Sequence, residues 1–271
     1  MVVKSALDEI EPLGFIAWRF AIGAAVLAIL AIPRGKALWL HGFLAGLALF
    51  AGYALQTSGL VFTSASNSAL ITGLYVVMTP FLATLFSRRA PSPWVVTGAA
   101  AAFGGVALLT GLDGSSLGRG DLLTMGCALA FATHIVVLAR YARQHPVIPF
   151  TTVQLLVTAG LSLLASWRFE AGPGIPDRSV WGALALTGIG VTVGAFLLQV
   201  WAQTVVGPAT AAIVLSAEPA FGVATAWVVL GERLSLRGWV GAALIVAAIY
   251  VVVTKQRDQA SREAEAVTPA H

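Results

Sequence analysis

Charge along this chain is confined to short islands between long apolar stretches. Residues 12–32, 39–62, 66–86, 93–112, 122–139, 149–167, 180–206, 209–230 and 238–254 are apolar, and of 16 Lys and Arg and 12 Asp and Glu only Arg19 and Glu218 fall inside them. About 20 apolar residues at ~1.5 Å of rise each cross a hydrocarbon core ~30 Å thick, where a helix satisfies its own backbone hydrogen bonds. The pattern predicts nine spanning helices, and so an all-α, polytopic helical membrane protein.

The islands carry the breakers that turn such a chain: Pro33-Arg34-Gly35-Lys36, Arg88-Arg89-Ala90-Pro91, the Gly/Ser/Asp run 111–121, His145-Pro146, the segment 170–178 with Pro173 and Pro176, and Gly207-Pro208. Connections this short join antiparallel neighbours. Trp39, Trp94, Trp167, Trp181 and Trp239 stand beside the islands, where an amphipathic ring anchors at headgroup level. Arg34, Lys36, Arg88, Arg89, Arg140 and Arg143 share one side with Lys255 and Arg257. Asp8, Glu9, Glu11, Asp113, Asp121, Glu170, Asp177 and Glu232 share the other. The basic bias puts the C-terminus in the cytoplasm of a cell (inner or plasma) membrane protein. Residues 255–271 are polar and lack a clear period, which predicts a mobile, solvated cytoplasmic tail.

Composition narrows the function. A chain that is 58% hydrophobic and 10% charged, with a mean hydropathy of +0.87, has too little polar surface to dissolve as a globular domain. The pI near 9.6 does not indicate nucleic acid, because the basic residues are scattered in ones and twos as orientation signals are. Cys127 is the single cysteine, so no disulfide framework exists. No HExxH, Walker loop, CxxC or GxSxG occurs, and Gly188 and Gly190 in TGIGVTVGA follow no strand. These readings expect no enzyme, no cofactor and no metal site. With no ATP-binding module on the chain, energy for any transport comes from a gradient.

A displacement of 143 residues lays Leu55-Gln56 on Leu198-Gln199, Ala69 on Ala212, Ser92 on Ser235, and Gly98-Ala99-Ala100 on Gly241-Ala242-Ala243. Span boundaries superpose too, and five helices per half, an odd number, makes the second half run opposite to the first. This is an inverted-repeat plan, with a substrate site near the midplane between halves. Residues 1–111 form the first repeat and 112–254 the second. Aligning Pro12 with Pro149 and Gly23 with Gly160 leaves the first of ten helices short by about 16 residues, so a ten-helix plan with a truncated helix 1 is expected. In this register Tyr75 falls on Glu218, both ~14 Å deep by helical rise. Gln56 and Gln199 fall near opposite faces, as a pair of gates.

The chain resembles the EamA-type members of the drug/metabolite transporter superfamily. The likeness is carried by Trp18-Arg19-Phe20, by TSASNSALITGLYVVMTPFLATLF at 63–86, and by SAEPAFG at 216–222 followed by LGERLSLRGWVGAALI at 230–245. It implies a ten-helix carrier of amino acids, other small metabolites or drug-like compounds, commonly moved outward.

Glu218 is the sharpest candidate, since a carboxylate at mid-span must face a cavity, find a partner or hold a proton; proton coupling rests on it. Pro219 frees the carbonyl of Leu215 and Pro80 that of Val76, and such helix kinks either coordinate ligands or merely shape packing. Arg19, ~10 Å from one face by helical rise, either attracts a carboxylate solute or snorkels as an anchor. His134 either relays protons with Glu218 or is a hydrogen-bonded core residue. Tyr75, Asn67, Gln154, Trp201 and Ser216 are candidates to line the pathway, with interhelical hydrogen bonds or lipid-facing rings as the alternative. Small residues at Gly42/Gly46 and Gly190/Gly194 predict close helix contacts. A secondary transporter working by alternating access, probed against a small-molecule solute within the lipid bilayer, is the leading reading. The others are a truncated membrane protein that moves nothing, and a membrane-embedded enzyme acting on lipid-linked substrates.

Overall fold

In a computed structural model, the structure describes residues 6–7, 9–87, 93–110, 118–205, 225, 227–229, 231 and 233–267. Among these the chain is helical throughout. In order, the helices are α1 (Pro12–Leu30), α2 (Lys36–Leu60), α3 (Ala65–Thr72), α4 (Tyr75–Ser87), α5 (Pro93–Thr110), α6 (Arg119–Tyr141), α7 (Val147–Phe169), α8 (Arg178–Ala185), α9 (Gly194–Val205) and α10 (Leu236–Val267). A π-helical segment, Leu186–Val193, joins α8 to α9, and a 3-10 turn, Ala142–Gln144, follows α6.

Six helical stretches are long and apolar enough to cross a membrane among the described residues: Pro12–Leu30, Lys36–Leu60, Ala65–Ala83, Arg119–Gln144, Val147–Phe169 and Val180–Val205. Of the other three expected spans, the described part of 93–112 forms α5 and 238–254 the apolar part of α10. Most of 209–230 lies outside the described residues. The outer surface is apolar, with Ile29 86%, Leu164 67% and Tyr250 68% exposed, which a bilayer tolerates and water does not. All five loop-flanking tryptophans are exposed as well. The protein is a multi-pass integral membrane protein.

Beyond Thr254 the polar tail, read from the sequence as lacking a clear period, continues the helix as far as Val267. α10 runs unbroken to Val267, because KQRDQASREAEAV is built of good helix formers with no Gly or Pro to stop it. A second difference concerns helix breaks. Helix continues through Pro80, and the interruption between α3 and α4 falls at Gly73-Leu74, where Leu74 and Val76 donate to Ile71 and Gly73 three residues back.

α1 packs along α7, α2 along both α6 and α7, and α5 along α10. Close approach comes from glycine. A Cβ on Gly42 would stand 2.5 Å from Val153 and one on Gly46 2.6 Å from Val157, so α2 and α7 touch through the first expected small pair. The second expected pair is corrected: Gly190 and Gly194 meet no neighbouring helix, and the tight contact is at Gly188, whose Cβ would lie 3.0 Å from the Arg19 carbonyl.

Polar clamps fasten the helix ends. Glu170 accepts from Leu13 N at 2.8 Å, Gly14 N at 3.0 Å and Ser166 Oγ at 2.9 Å. Asp121 accepts from Thr63 Oγ1 at 2.7 Å and from Gly118 N at 3.2 Å, holding the start of α6 to the end of α2. At the opposite end of the bundle His41 Nδ1 lies 2.8 Å from His145 Nε2, with His41 stacked on Tyr141 and His145 on Phe150.

The core does not divide along the sequence halves. One cluster combines Leu70, Leu74 and Tyr75 with Ala128 and Ala132 of α6 and Ile245 and Ile249 of α10. Another combines Phe20, Leu27 and Leu49 with Leu155 of α7 and Phe196 of α9. Each cluster therefore mixes helices from before and after residue 112, so the halves interlock. Phe131 packs against both.

Candidate functional site

Where the two clusters meet, the bundle forms a partly open cavity of about 90 Å³ lined by Tyr53, Gln56, Tyr75, Phe131, His134, Ile135, Phe196 and Gln199. That volume has room for several water molecules. Four helices supply the wall: α2 gives Tyr53 and Gln56, α4 gives Tyr75, α6 gives Phe131, His134 and Ile135, and α9 gives Phe196 and Gln199. On three of them an aromatic ring precedes a polar side chain by three residues, the spacing that puts both on one helix face. The two rings from α2 and α9, Tyr53 and Phe196, stand edge to face at 6.2 Å. Tyr53 also meets Phe131 at 5.2 Å, and Tyr75 meets Phe131 at 6.4 Å.

The polar groups are held in place. His134, 1% exposed, shares a 2.8 Å hydrogen bond with Gln154 Oε1 through Nε2, and its ring stands edge-on to Phe196. The amide nitrogen of Gln154 has no hydrogen-bond partner among the described residues. Gln56 donates to Thr72 Oγ1 at 3.2 Å. One turn beyond Gln199, Gln203 is buried with both amide atoms unpartnered among the described residues, an expensive arrangement in an apolar interior.

Four expected pathway residues, Tyr75, His134, Gln56 and Gln199, thus meet at one cavity. α2 ends where α6 begins, with Gly59 against Gly120, whereas α9 packs against the 3-10 turn after α6. Gln56 and Gln199, expected near opposite faces, line this one cavity together. Trp201 is 55% exposed and does not line the cavity: two residues past Gln199, it points to the other face of α9. Glu218, Ser216 and Pro219 lie outside the described residues.

Behind Tyr53 lies Arg19. Its side chain is 6% exposed, Nε donates to Thr192 Oγ1 at 2.7 Å, and the guanidinium carbon sits 5.0 Å from the Tyr53 ring centroid and 5.6 Å from that of Phe20. The residue does not snorkel, since it is enclosed by α1, α2 and the π-helical segment. Sequence reasoning missed Tyr53, Phe131, Phe196 and Gln203. The aromatic-to-polar spacing on three helices is the signal that finds the first three.

A bundle of apolar helices around a small chamber lined by rings and hydrogen-bonding groups defines a polytopic membrane protein. The chain belongs to the EamA-like transporter family, which it matches over residues 1–111 and 118–254. An uncharacterized transporter of Archaeoglobus fulgidus is 33% identical over 257 residues, covering 93% of this chain and 80% of that protein. The uncharacterized transporter YvbV of Bacillus subtilis is 28% identical over 272 residues, covering 94% and 87%. Among solved structures, one crystal structure superposes with a TM-score of 0.69 at 23% identity, covering 94% of this chain and 92% of that one, a likeness of fold.

Proposed function

We propose that the protein is a secondary transporter that carries a small solute through the Tyr53–Gln199 cavity by alternating access, in the direction of export. The observation that carries this reading is the cavity's wall. Residues 143 apart in sequence, Tyr53 with Phe196 and Gln56 with Gln199, converge on one chamber, as a two-fold related pair of helices around a midplane site would. The aromatic rings offer apolar faces and the glutamines and His134 offer donors and acceptors, a lining suited to a small amphipathic solute. Glu218, which the repeat sets opposite Tyr75, is the group on which proton coupling rests, and a cell-membrane location with a cytoplasmic C-terminus follows from the basic loops.

The experiment is efflux from proteoliposomes loaded with a mixed metabolite panel and followed by mass spectrometry, with protein-free vesicles as the blank. At least one compound leaves faster with protein present, and Gln199→Ala and Tyr75→Ala each slow it tenfold or more. Glu218→Gln abolishes concentrative uptake and spares exchange. Efflux identical to the blank across the panel refutes the carrier, and cavity variants as active as the parent refute this site.

A further inference from the structure

From Arg19 we infer that the transported solute is a small organic acid, bound with its carboxylate turned toward this guanidinium; the inference rests on the cavity being the transport site. A guanidinium carries five N–H donors in a planar fork. Here one of them, at Nε, is committed to Thr192 Oγ1 at 2.7 Å, and no Asp or Glu among the described residues pairs with the cation. Sequestering an unpaired charge this deeply, at 6% exposure, is costly in any apolar interior, and more so in a membrane span. The faces of Tyr53 and Phe20, 5.0 and 5.6 Å from the guanidinium carbon, return only part of that cost, since a cation–π contact is worth about 0.5–2 kcal/mol.

Among the described residues the arrangement also sets the sign of charge that the cavity favours. Tyr53, Tyr75, Phe131 and Phe196 would by themselves form an aromatic box of the kind that takes organic cations. Arg19 stands on the far side of the Tyr53 ring, and no acidic side chain lines the cavity among the described residues. The cavity is partly open, but the ring and the surrounding helices lie between this charge and a bound solute, and through protein the field of a charge is screened less than through water, so a second cation is repelled and an anion held. Across the Tyr53 ring the guanidinium acts on a bound carboxylate through its charge, while Gln56, Gln199 and His134, which line the cavity, serve its polar atoms. Room for several waters limits the body of the acid to a few carbons or a single ring.

The test compares shape-matched acids and amides on the purified full chain in nanodiscs at neutral pH: butyrate against butyramide, and phenylacetate against phenylacetamide. Binding is read as a shift in unfolding temperature across a concentration series. The acids bind at least tenfold more tightly than their amides, Arg19→Lys retains a reduced preference, and Arg19→Gln brings the ratio to near one. Thr192→Val, which removes the Nε acceptor and keeps the cation, preserves the preference for acids. Equal affinity of acid and amide in the parent protein overturns the inference, as does binding of neither acid, or an unchanged ratio in Arg19→Gln. Should Arg19→Gln fail to fold, the parent ratio and Arg19→Lys decide. Binding is measured without transport, so an acid preference with no flux in the efflux assay removes the carrier and leaves the anion site. Flux of neutral solutes with no acid preference does the reverse.

Discussion

Replacing Glu170 with alanine unfastens the Pro12 end of α1 from the end of α7. The carboxylate accepts the first free N–H groups of α1, from Leu13 and Gly14 at 2.8 and 3.0 Å, and the Ser166 hydroxyl at 2.9 Å. Helix N-termini leave their first N–H groups unpaired unless something outside the helix accepts them. α1 starts after Glu11, whose side chain makes no capping bond, and with Pro at its first turn, so Glu170 supplies the cap from 156 and 157 residues away in sequence. A lost cap costs about 0.5–2 kcal/mol, and the attraction between an anion and a helix N-terminus adds about 0.3–1 kcal/mol. Together that is roughly 1–3 kcal/mol, or an unfolding temperature lower by about 2–12 °C for a chain of this size. Cys127 provides the readout: it is the single cysteine and is buried, so a thiol-reactive fluorophore reports its exposure on heating. Glu170→Gln falls between alanine and the parent, because its amide oxygen still accepts one N–H. An unfolding temperature unchanged within 1 °C in Glu170→Ala would refute the capping role.

Three further outcomes follow from packing and charge. Gly46→Leu puts a side chain where even a Cβ stands 2.6 Å from Val157 and 2.8 Å from the Gln154 carbonyl, so α2 and α7 separate and stability drops by about 1–3 kcal/mol or more. Gly160→Ala on the same α7, with nothing within 4 Å of its Cβ, moves the other way by about 0.5–1 kcal/mol; the thiol assay on both variants checks the opposed signs. Burial, and then the charge of His41, hold His145 below the usual histidine range. The folded state hence binds fewer protons than the unfolded one, and the contribution of this contact is complete above the ordinary pKa of ~6.5 and fades as pH falls below it. An unfolding-temperature profile from pH 8 to 5 is shallower in His41→Ala, and identical profiles refute the coupling.

Much of the fold is legible in the chain because lipid enforces a simple rule. Charge-free stretches report where backbone is withdrawn from water, and seven of them locate the helical stretches from α1 to α9 to within a few residues, though not the break between α3 and α4 or the π-helical segment between α8 and α9. The same rule is blind to rotation about each helix axis, since a residue facing lipid and one facing protein are equally apolar. Trp201 shows the consequence: it reads as a pathway residue and is 55% exposed. In 255–267 the helix was not legible for the opposite reason, because a polar stretch with no apolar face shows no period even where it is helical.

The site was half legible, and the division is physical. Gln56, Tyr75, His134 and Gln199 stood out because a polar side chain deep in a span needs a reason, and the cavity is that reason. Tyr53, Phe131 and Phe196 did not, since an aromatic ring costs nothing in lipid. They become visible only as partners, each three residues before Gln56, His134 and Gln199 on its own helix. One helix face presenting a ring and a hydrogen-bonding group together is ordinary. Three such faces, from α2, α6 and α9, turned toward one chamber of about 90 Å³ make a wall in which aromatic rings and hydrogen-bonding groups alternate. That division of labour is what a membrane-embedded binding site requires: the rings exclude lipid and shape the solute's body, and the few donors and acceptors set its orientation.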